Sequence, residues 1–527
     1  MKRPVRRARP RKPAARAKRA PRAAAPSPSC TLVSAMSRIA RPPIKILVAN
    51  RGEIAVRILH TLREMGLPSV AIETAADRDA PHLDLADEVA TLAGGDGYLD
   101  AAALVAAARR YGAQAIHPGY GFLSQSAAFV EACEAAGVIF IGPSAAAMRM
   151  LGDKRASRAA AEACGIPVIP GASVCESARD AARAAEKVGW PVLLKAAGGG
   201  GGRGMRRVAR AADLDDAFDA ARREAEAAFS DPRLLVENYI APARHVEVQV
   251  LGDGRDAVSL GERECSLQRR YQKVIEEGPS PGIGEGTRRA VADAAVRLAR
   301  HAGYRSAGTV EFLVGPDGAH YFLEVNTRIQ VEHPVTEWIT GIDIVAAQIE
   351  LARGGGLPAP PAACGHAIEA RLNAEDPYRG FLPSVGPLLV VDWPVRPGLR
   401  VDAGVRAGGA VRPEYDALLA KLIAWGTDRE EARRRLVAAL RETTILGVAT
   451  NLAFLVQILE SPMFRDAETH TTTLEETTWP EPEPPPEALA AARRALASPH
   501  GAADGDAGPG DAHSPWGVAD PRGRFRP

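Results

Sequence analysis

The sequence predicts an α/β N-terminal domain followed by an α+β region built around an antiparallel sheet. Three stretches carry that prediction. "IKILVANRGEIAVRILHTLREMGLPSVAIET" runs from an apolar strand through a glycine into an amphipathic helix and out to a second strand, a βαβ unit. "HVEVQVLGDG" alternates apolar and polar residues, as a half-exposed antiparallel strand does. "VEFLVGPDGAHYFLEVN" sets two such runs around Asp317-Gly318, a strong hairpin signal.

The N-terminal domain spans residues 44–153. "GAQAIHPGYGFL" and "GVIFIGPS" supply further short apolar strands, each ending in a Gly/Pro turn. No G-x-G-x-x-G follows the first strand, which argues against a dinucleotide site there. Residues 154–350 form the second domain and 351–480 a third, with strands in "GHAIEARLNAE" and "LLVVDWP" and a helix in "TDREEARRRLVAALRET". The chain of 527 residues, 46% hydrophobic with a formal net charge of +2, is long enough for several cored domains. No apolar run approaches the roughly 20 residues that span a bilayer. Six scattered cysteines without C-x-x-C spacing read as reduced thiols of a cytoplasmic protein.

The ends differ from the middle. Residues 1–43 open with a basic Arg/Lys/Ala/Pro tract lacking acids up to residue 28, and are expected to be a disordered tail. A nucleic-acid contact, an organelle presequence, or a chain that starts at Met36 are the alternatives for this segment. Residues 481–527, rich in Pro, Gly, Ala and Asp, read as a second tail.

"PVLLKAAGGGGGRGM" places five consecutive glycines between two candidate strands. Glycine N–H groups approach an anion without side-chain obstruction, and a mobile loop can close over polyphosphate. A plain flexible linker is the competing reading. Only nine of the 66 basic residues are lysines, so Lys154, Lys195 and Lys273, all inside motif-like stretches, stand out.

The carboxylates favour a site. A two-residue hairpin loop at Asp317-Gly318 puts Glu311 directly opposite Glu324. Like charges facing each other destabilise a sheet, and a hard cation such as Mg²⁺ removes the penalty. In "LEVNTRIQVEH", read as a continuing strand, Glu324, Asn326, Arg328, Gln330 and Glu332 share one face. Acid, amide, guanidinium, amide and acid in sequence suit a metal–phosphate–anion track.

"ANRGEIAVRI", "AIHPGYGF", "LGDK", "LLKAAGGGGGRGM", "RHVEVQV", "ECSLQRRYQKVIEE", "GTVEF", "EVNTRIQVEHPVTE" and "EARLNAEDP" occur in this order. Together they resemble biotin carboxylase, the ATP-grasp subunit of biotin-dependent acyl-CoA carboxylases, over roughly residues 44 to 480. The resemblance implies an N-terminal biotin-carboxylase domain, an ATP-grasp domain with a glycine-rich lid, and a C-terminal biotin-carboxylase domain. It implies that Lys154, Lys195, Gly201, Gly202, Glu237, Asn238, Tyr239, Ile240, His245, Gln268 and Tyr271 bind ATP. It further implies that Glu311, Glu324 and Asn326 bind Mg²⁺ or Mn²⁺, as two ions. Lys273, Arg328 and the Val331 amide would hold bicarbonate, with Glu332 as base and Arg371 facing the biotin ureido oxygen. The implied reaction carboxylates carrier-bound biotin through carboxyphosphate, for eventual transfer to acetyl-CoA or propionyl-CoA. The implied partners are a separate biotin carboxyl carrier protein, carboxyltransferase subunits and a second copy in a homodimer, with no membrane and no nucleic acid.

Three positions depart from the family pattern. Gln125-Ser126 stand where Glu-Asn is usual, Tyr271 where many relatives have His, and Asn238 where Lys is common. Apart from Lys2, which follows Met1 and precedes Arg3, no lysine has a methionine neighbour, so the biotin-bearing Ala-Met-Lys-Met turn is lacking in this sequence and the chain is expected not to be biotinylated. Two other readings compete with this one. A carbamoyl-phosphate-synthase-like ATP-grasp ligase would share the lid and metal carboxylates but not "TRIQVEHPVTE" with "EARLNAEDP". A polyanion-binding protein would depend on the basic tail.

Overall fold

The computed structural model describes residues 44–483 apart from 93, 95–96, 198–204, 230 and 360–361. Gly201, Gly202 and Arg203 therefore lie outside the described residues, as do residues 1–43 and 484–527. One compact unit ends at Trp479; residues 480–483 begin a second and carry no regular secondary structure. Among the described residues no helix is long and apolar enough to cross a membrane.

The opening segment folds as the strand Ile46–Val48, the helix Gly52–Glu64 and the strand Ser69–Glu73. The helix buries Ile54, Ala55, Ile58, Leu59 and Leu62, one stripe at helical spacing. Five strands form a parallel sheet in the order Glu88–Thr91, Ser69–Glu73, Ile46–Val48, Ala115–His117, Ile139–Phe140. Strand order reverses at Ile46–Val48, so the loops after it and after Ala115–His117 diverge around a crevice, where such sheets bind ligands. Asn50 ties these loops together: its Nδ2 donates to the carbonyls of Pro118 (2.7 Å) and Tyr120 (2.6 Å). Gly119 has φ +59°, and a Cβ there would lie 2.8 Å from Asn50 Nδ2.

An eight-stranded sheet, antiparallel throughout, follows. Its order is His320–Asn326, Arg305–Val314, Arg244–Asp253, Ala257–Arg269, Gln272–Gly278, His366–Asn373, Leu418–Gly426, Leu399–Ala403. It continues without interruption from the second sequence domain into the third, across the pairing of Gln272–Gly278 with His366–Asn373. Val248, Val250, Val310 and Phe312 pack with Val291, Ala294, Ala295 and Leu298 of the helix Glu285–His301. The alternate residues form the other face. "HVEVQVLGDG" is thus not half-exposed as its alternation suggested: Glu247 and Gln249 are as buried as the valines, because their polar face lines a site rather than solvent.

A third sheet, of four strands, takes the order Gly171–Cys175, Leu234–Asn238, Val192–Ala196, Arg206–Val208. With the helices Ala178–Val188 and Leu214–Phe229 it has its own core around Leu194, Phe218 and Val236. The two strands flanking the glycines pair antiparallel, Val192 opposite Val208.

The Asp317-Gly318 hairpin forms, but not with a two-residue loop. Val314 pairs with His320 across a longer turn, in which Gly315 N–H bonds the Ala319 carbonyl. A bulge at Leu323 then restores the expected register, and Glu311 does face Glu324. The bulge has a cause in the fold: Phe322 N–H donates to the Pro167 carbonyl at 2.7 Å. The strand also ends at Asn326 instead of running to Glu332; residues 327–332 are irregular and lead into the helix His333–Thr340.

Candidate active site

Register builds the site. Glu324, Glu311, Glu247 and Arg263 stand side by side in one rung across four adjacent strands. One rung further along, Asn326 faces Thr309 and Thr309 faces Gln249. Three neighbouring glutamates repel one another in a sheet, so cations must be supplied. Arg263, fully buried, donates Nε to Glu247 Oε1 at 2.6 Å and Nη1 to Gln249 Oε1 at 2.9 Å and Thr336 Oγ1 at 2.7 Å. Lys273 Nζ reaches Glu247 Oε2 (2.5 Å), Glu311 Oε1 (2.9 Å) and Glu332 Oε1 (2.7 Å). Burial alone would push the Lys273 ammonium down, but these three carboxylates outweigh it and hold its pKa well above the usual lysine range.

Glu332 links two strands. Its Oε1 accepts from Lys273 and its Oε2 from Arg371 Nη2 at 2.9 Å, while Arg371 Nε donates to Glu276 Oε1 at 2.6 Å. Burial would raise the Glu332 carboxyl; Lys273, Arg371 and Arg263 instead hold it well below the carboxylate range. Glu311 behaves likewise, held low against burial by Lys273 and by His245, whose Nε2 lies 2.9 Å from Glu311 Oε2.

Although the strand ends early, the expected track converges. Asn326 Nδ2 and Gln330 Nε2 donate to Glu311 Oε1 at 2.9 and 3.0 Å, and Gln330 Oε1 accepts from Lys273 at 3.3 Å. Arg328 is held differently from the other cations. Its Nε donates to Gln125 Oε1 (2.8 Å), Nη1 to the Ile329 carbonyl (3.1 Å) and Nη2 to Asn326 Oδ1 (3.1 Å). All three acceptors are neutral. The Gln125-Ser126 departure thus has a structural content: Gln125 gives Arg328 an uncharged partner, and Ser126 caps the helix Ala127–Ala135 through Phe129 N–H.

Glu324 has no hydrogen-bond or ion-pair partner among the described residues, and burial together with Glu311 raises its pKa. Two facing carboxylates, one of them without a partner among the described residues and with the Asn326 amide in the next rung, fit a hard divalent cation. Lys154, at the start of the helix Lys154–Ala163, lies within electrostatic reach of Glu324, Lys195 and Glu237; burial lowers its pKa. Lys195 pairs with Glu237 from the neighbouring strand, both buried. Beyond Glu237, Asn238 turns its Nδ2 to the Val188 carbonyl (3.0 Å), the guanidinium of Arg207 stacks 4.9 Å from the Tyr239 ring, and Ile240 is half-buried. His245 Nδ1 contacts Gln268 Nε2. Tyr271 is exposed at the Arg270-Tyr271 hairpin turn, where both residues have positive φ. It does not join the buried cluster.

Sequence reasoning passed over Glu247, Arg263, Glu276 and Lys421. Lys421, fully buried in the strand Leu418–Gly426, donates Nζ to the Val331 carbonyl and lies 3.4 Å from Glu53 Oε2. Glu53 in turn accepts from Tyr120 Oη in the loop after Ala115–His117. A lone lysine inside "LLAKLIAWG" was a legible signal.

A self-contained four-stranded cap bearing a lysine and a carboxylate rung crossed by cations suit an ATP-grasp ligase. Comparison with known proteins makes the class specific. Residues 43–148 match the family description "Biotin carboxylase, N-terminal domain", 153–359 "Carbamoyl-phosphate synthase L chain, ATP binding domain", and 369–476 "Biotin carboxylase C-terminal domain". A biotin carboxylase of Nostoc is 43% identical over 440 residues, covering 82% of this chain and 98% of that protein. The mitochondrial methylcrotonoyl-CoA carboxylase subunit alpha of Dictyostelium discoideum is 44% identical over 440 residues, and there the chain spans only 63% of the relative's length. A crystal structure of the biotin carboxylase domain dimer of Hydrogenobacter thermophilus 2-oxoglutarate carboxylase, in complex with MgADP, ADP and bicarbonate, superposes with a TM-score of 0.80 at 42% identity, covering 84% of this chain and 100% of that one. The chain belongs to the biotin carboxylase family.

Proposed function

We propose that the chain carboxylates carrier-bound biotin with bicarbonate at the expense of ATP, through carboxyphosphate. The observation that carries this reading is Glu332, whose two oxygens are gripped by Lys273 on one side and Arg371 on the other. One ionised carboxylate thereby stands between the phosphate-facing cations and the acceptor-facing guanidinium.

Bicarbonate is a poor electrophile until phosphorylated, so the site must hold an anion beside the transferring phosphoryl group. Arg328, held only by neutral acceptors, keeps its charge available for that anion. Lys421 fixes the Val331 carbonyl and with it the peptide beside Glu332. Glu332, ionised at neutral pH, takes the bicarbonate proton. Lys154 and Lys195 bind the polyphosphate as point charges. Mg²⁺, held by Glu311 and Glu324 with Asn326, would neutralise the charge on the transferring group; Mn²⁺ fits the same oxygen donors. Arg371 then stabilises the enolate oxygen of biotin, an oxyanion task.

Biotin would arrive on a carboxyl carrier domain, and the carboxyl group would pass to an acyl-CoA on a carboxyltransferase. The similarity to methylcrotonoyl-CoA and propionyl-CoA carboxylase chains supports a CoA thioester as final acceptor. The dimeric form of the Hydrogenobacter domain supports a homodimer. The experiment is ATP cleavage measured without additions, with bicarbonate, and with bicarbonate plus a biotinylated carrier domain. Stepwise stimulation is expected. ATP cleavage driven by bicarbonate and ammonia but indifferent to biotin would instead favour a carbamoyl-phosphate-type ligase, to which the match over 153–359 alone also points.

A further inference from the structure

Beside Arg371 lies a pair of carboxylates that the reaction as described does not use. Glu369 sits directly opposite Glu276 on the adjacent strand and two residues before Arg371, and both carboxylates are fully buried. Arg371 serves Glu276 through Nε at 2.6 Å and spends Nη2 on Glu332. Glu276 Oε2 and both oxygens of Glu369 are left without a hydrogen-bond partner among the described residues.

The surrounding cations are committed elsewhere. Lys421, opposite Arg371 on the next strand, serves the Val331 carbonyl, with Glu53 and Asp402 as its charged neighbours. Lys273, from the same strand as Glu276, is held by Glu247, Glu311 and Glu332. Arg263 and Cys265 come from the strand beyond; Arg263 is bound to Glu247, and burial pushes the Cys265 thiol up. His333, on the helix packed over the sheet, is kept neutral by burial. A buried carboxyl with no donor favours keeping its proton, and where two carboxylates face each other in the interior one of them is pushed toward its protonated form.

We propose that Glu276 and Glu369 work as a one-proton pair: Glu369 stays protonated, and Glu276 carries the single charge that anchors Arg371 by Nε. The arrangement deepens the biotin-carboxylase reading and rests on it for the purpose of Arg371. With Glu369 neutral, Arg371 is balanced by Glu276 and Glu332 alone. Once Glu332 has taken up the bicarbonate proton, Nη2 loses its anionic partner and can serve the acceptor's oxyanion, while Nε stays fixed. An ionised Glu369 would put a second negative charge beside that oxyanion. The electrostatics rank the two carboxyls as the geometry does, with Glu369 holding its proton more firmly than Glu276. Burial, opposed by Arg371 and reinforced by Glu332, pushes Glu276 up to about 7, and burial against the pull of Lys421 raises Glu369 well above the carboxylate range.

Infrared difference spectroscopy of the full chain at neutral pH, wild type against Glu369→Gln, tests the pair without substrate. The expected result is a protonated carboxylic acid C=O band in the wild type that Glu369→Gln removes. In kinetics, the alkaline limb of biotin-stimulated ATP cleavage should move up by about one pH unit or more in Glu369→Gln. The limb for bicarbonate-dependent cleavage without biotin should stay in place; a residue that merely filled space would move neither. Absence of the band in the wild type, or its undiminished survival in Glu369→Gln, overturns the pair. Absence in the wild type does so even where a variant fails to fold. A band present in a protein whose ATP cleavage ignores biotin would overturn the proposed function and leave the proton pair standing.

Discussion

Glu332→Gln separates the base from the scaffold. The amide keeps the shape and one acceptor oxygen. Lys273 retains Glu247 at 2.5 Å and Glu311 at 2.9 Å, and Arg371 retains Glu276 at 2.6 Å, so neither cation is stranded. Of the two charge-assisted hydrogen bonds to Glu332, one is lost because the amide NH2 cannot accept from a cation and the other gains a neutral acceptor, at a cost of about 1.5–3 kcal/mol of stability, partly offset because a buried charge is also removed. Loss of a positioned base costs about 10²–10⁴ in rate, or roughly 3–5 kcal/mol of barrier. The variant should therefore fold, bind ADP with near wild-type affinity and lose bicarbonate-dependent ATP cleavage by at least about a hundredfold. Because the cations hold the Glu332 carboxyl well below its ordinary range, the wild-type rate should show no acid limb from this group between about pH 5 and 8. Coupled phosphate release and ADP thermal-shift titration measure both halves. Turnover within about tenfold of wild type, or equal loss of ADP binding, would refute the assignment of base.

Glu324→Gln should raise the melting temperature of metal-free protein, since it relieves a like-charge cross-strand pair worth about 0.2–1 kcal/mol, while abolishing the response of Tm to added Mg²⁺ with ADP. A variant still stabilised by Mg²⁺ as the wild type is would exclude Glu324 as a ligand. Lys421→Met strands Glu53 and the Val331 carbonyl, while Asp402 keeps both its hydrogen bonds from Arg400, and urea unfolding should show a loss of about 3–5 kcal/mol; adding Glu53→Gln should recover part of it. Glu276 sets a pH trend of its own. Its pKa in the folded protein is raised to about 7, so the folded state binds more protons than the unfolded one from about pH 4.3 upward, and its contribution to stability is lost as pH rises through that window. Tm scans across pH should show Glu276→Gln removing that decline; an unchanged slope would place the titration elsewhere.

The parallel sheet and the strands of the antiparallel sheet were legible because hydrophobic periodicity is local. The Glu311–Glu324 facing was also predicted, but by an argument whose loop was too short. The longer turn and the Leu323 bulge offset each other, and the bulge depends on Pro167, a partner that local sequence does not reveal. The same limit applies to residues 327–332. Alternation correctly grouped Glu324, Asn326, Arg328, Gln330 and Glu332, yet it is the turn into the helix His333–Thr340, not a strand, that gathers them. Glu247 and Gln249 were misread as solvent-facing because alternation reports two unlike faces and does not say which meets water. Lys421 escaped notice because its strand matched no motif, although a lysine in an otherwise apolar strand needs buried partners.

The unbroken eight-stranded sheet limits how this protein can be cut. A chain severed near residue 360 would separate Gln272–Gly278 from His366–Asn373 and expose both as bare edges, each with a ladder of unpaired amides and carbonyls. Isolated halves would be sticky, and neither would keep Lys273, Glu332 and Arg371 together. The four-stranded cap, with a core of its own, is the natural piece to exchange between relatives or to label for motion. Strand spacing of about 4.8 Å fixes the step from Glu276 to Glu369, so grafting a new acceptor preference means redesigning the far strands in place, with the seam left intact.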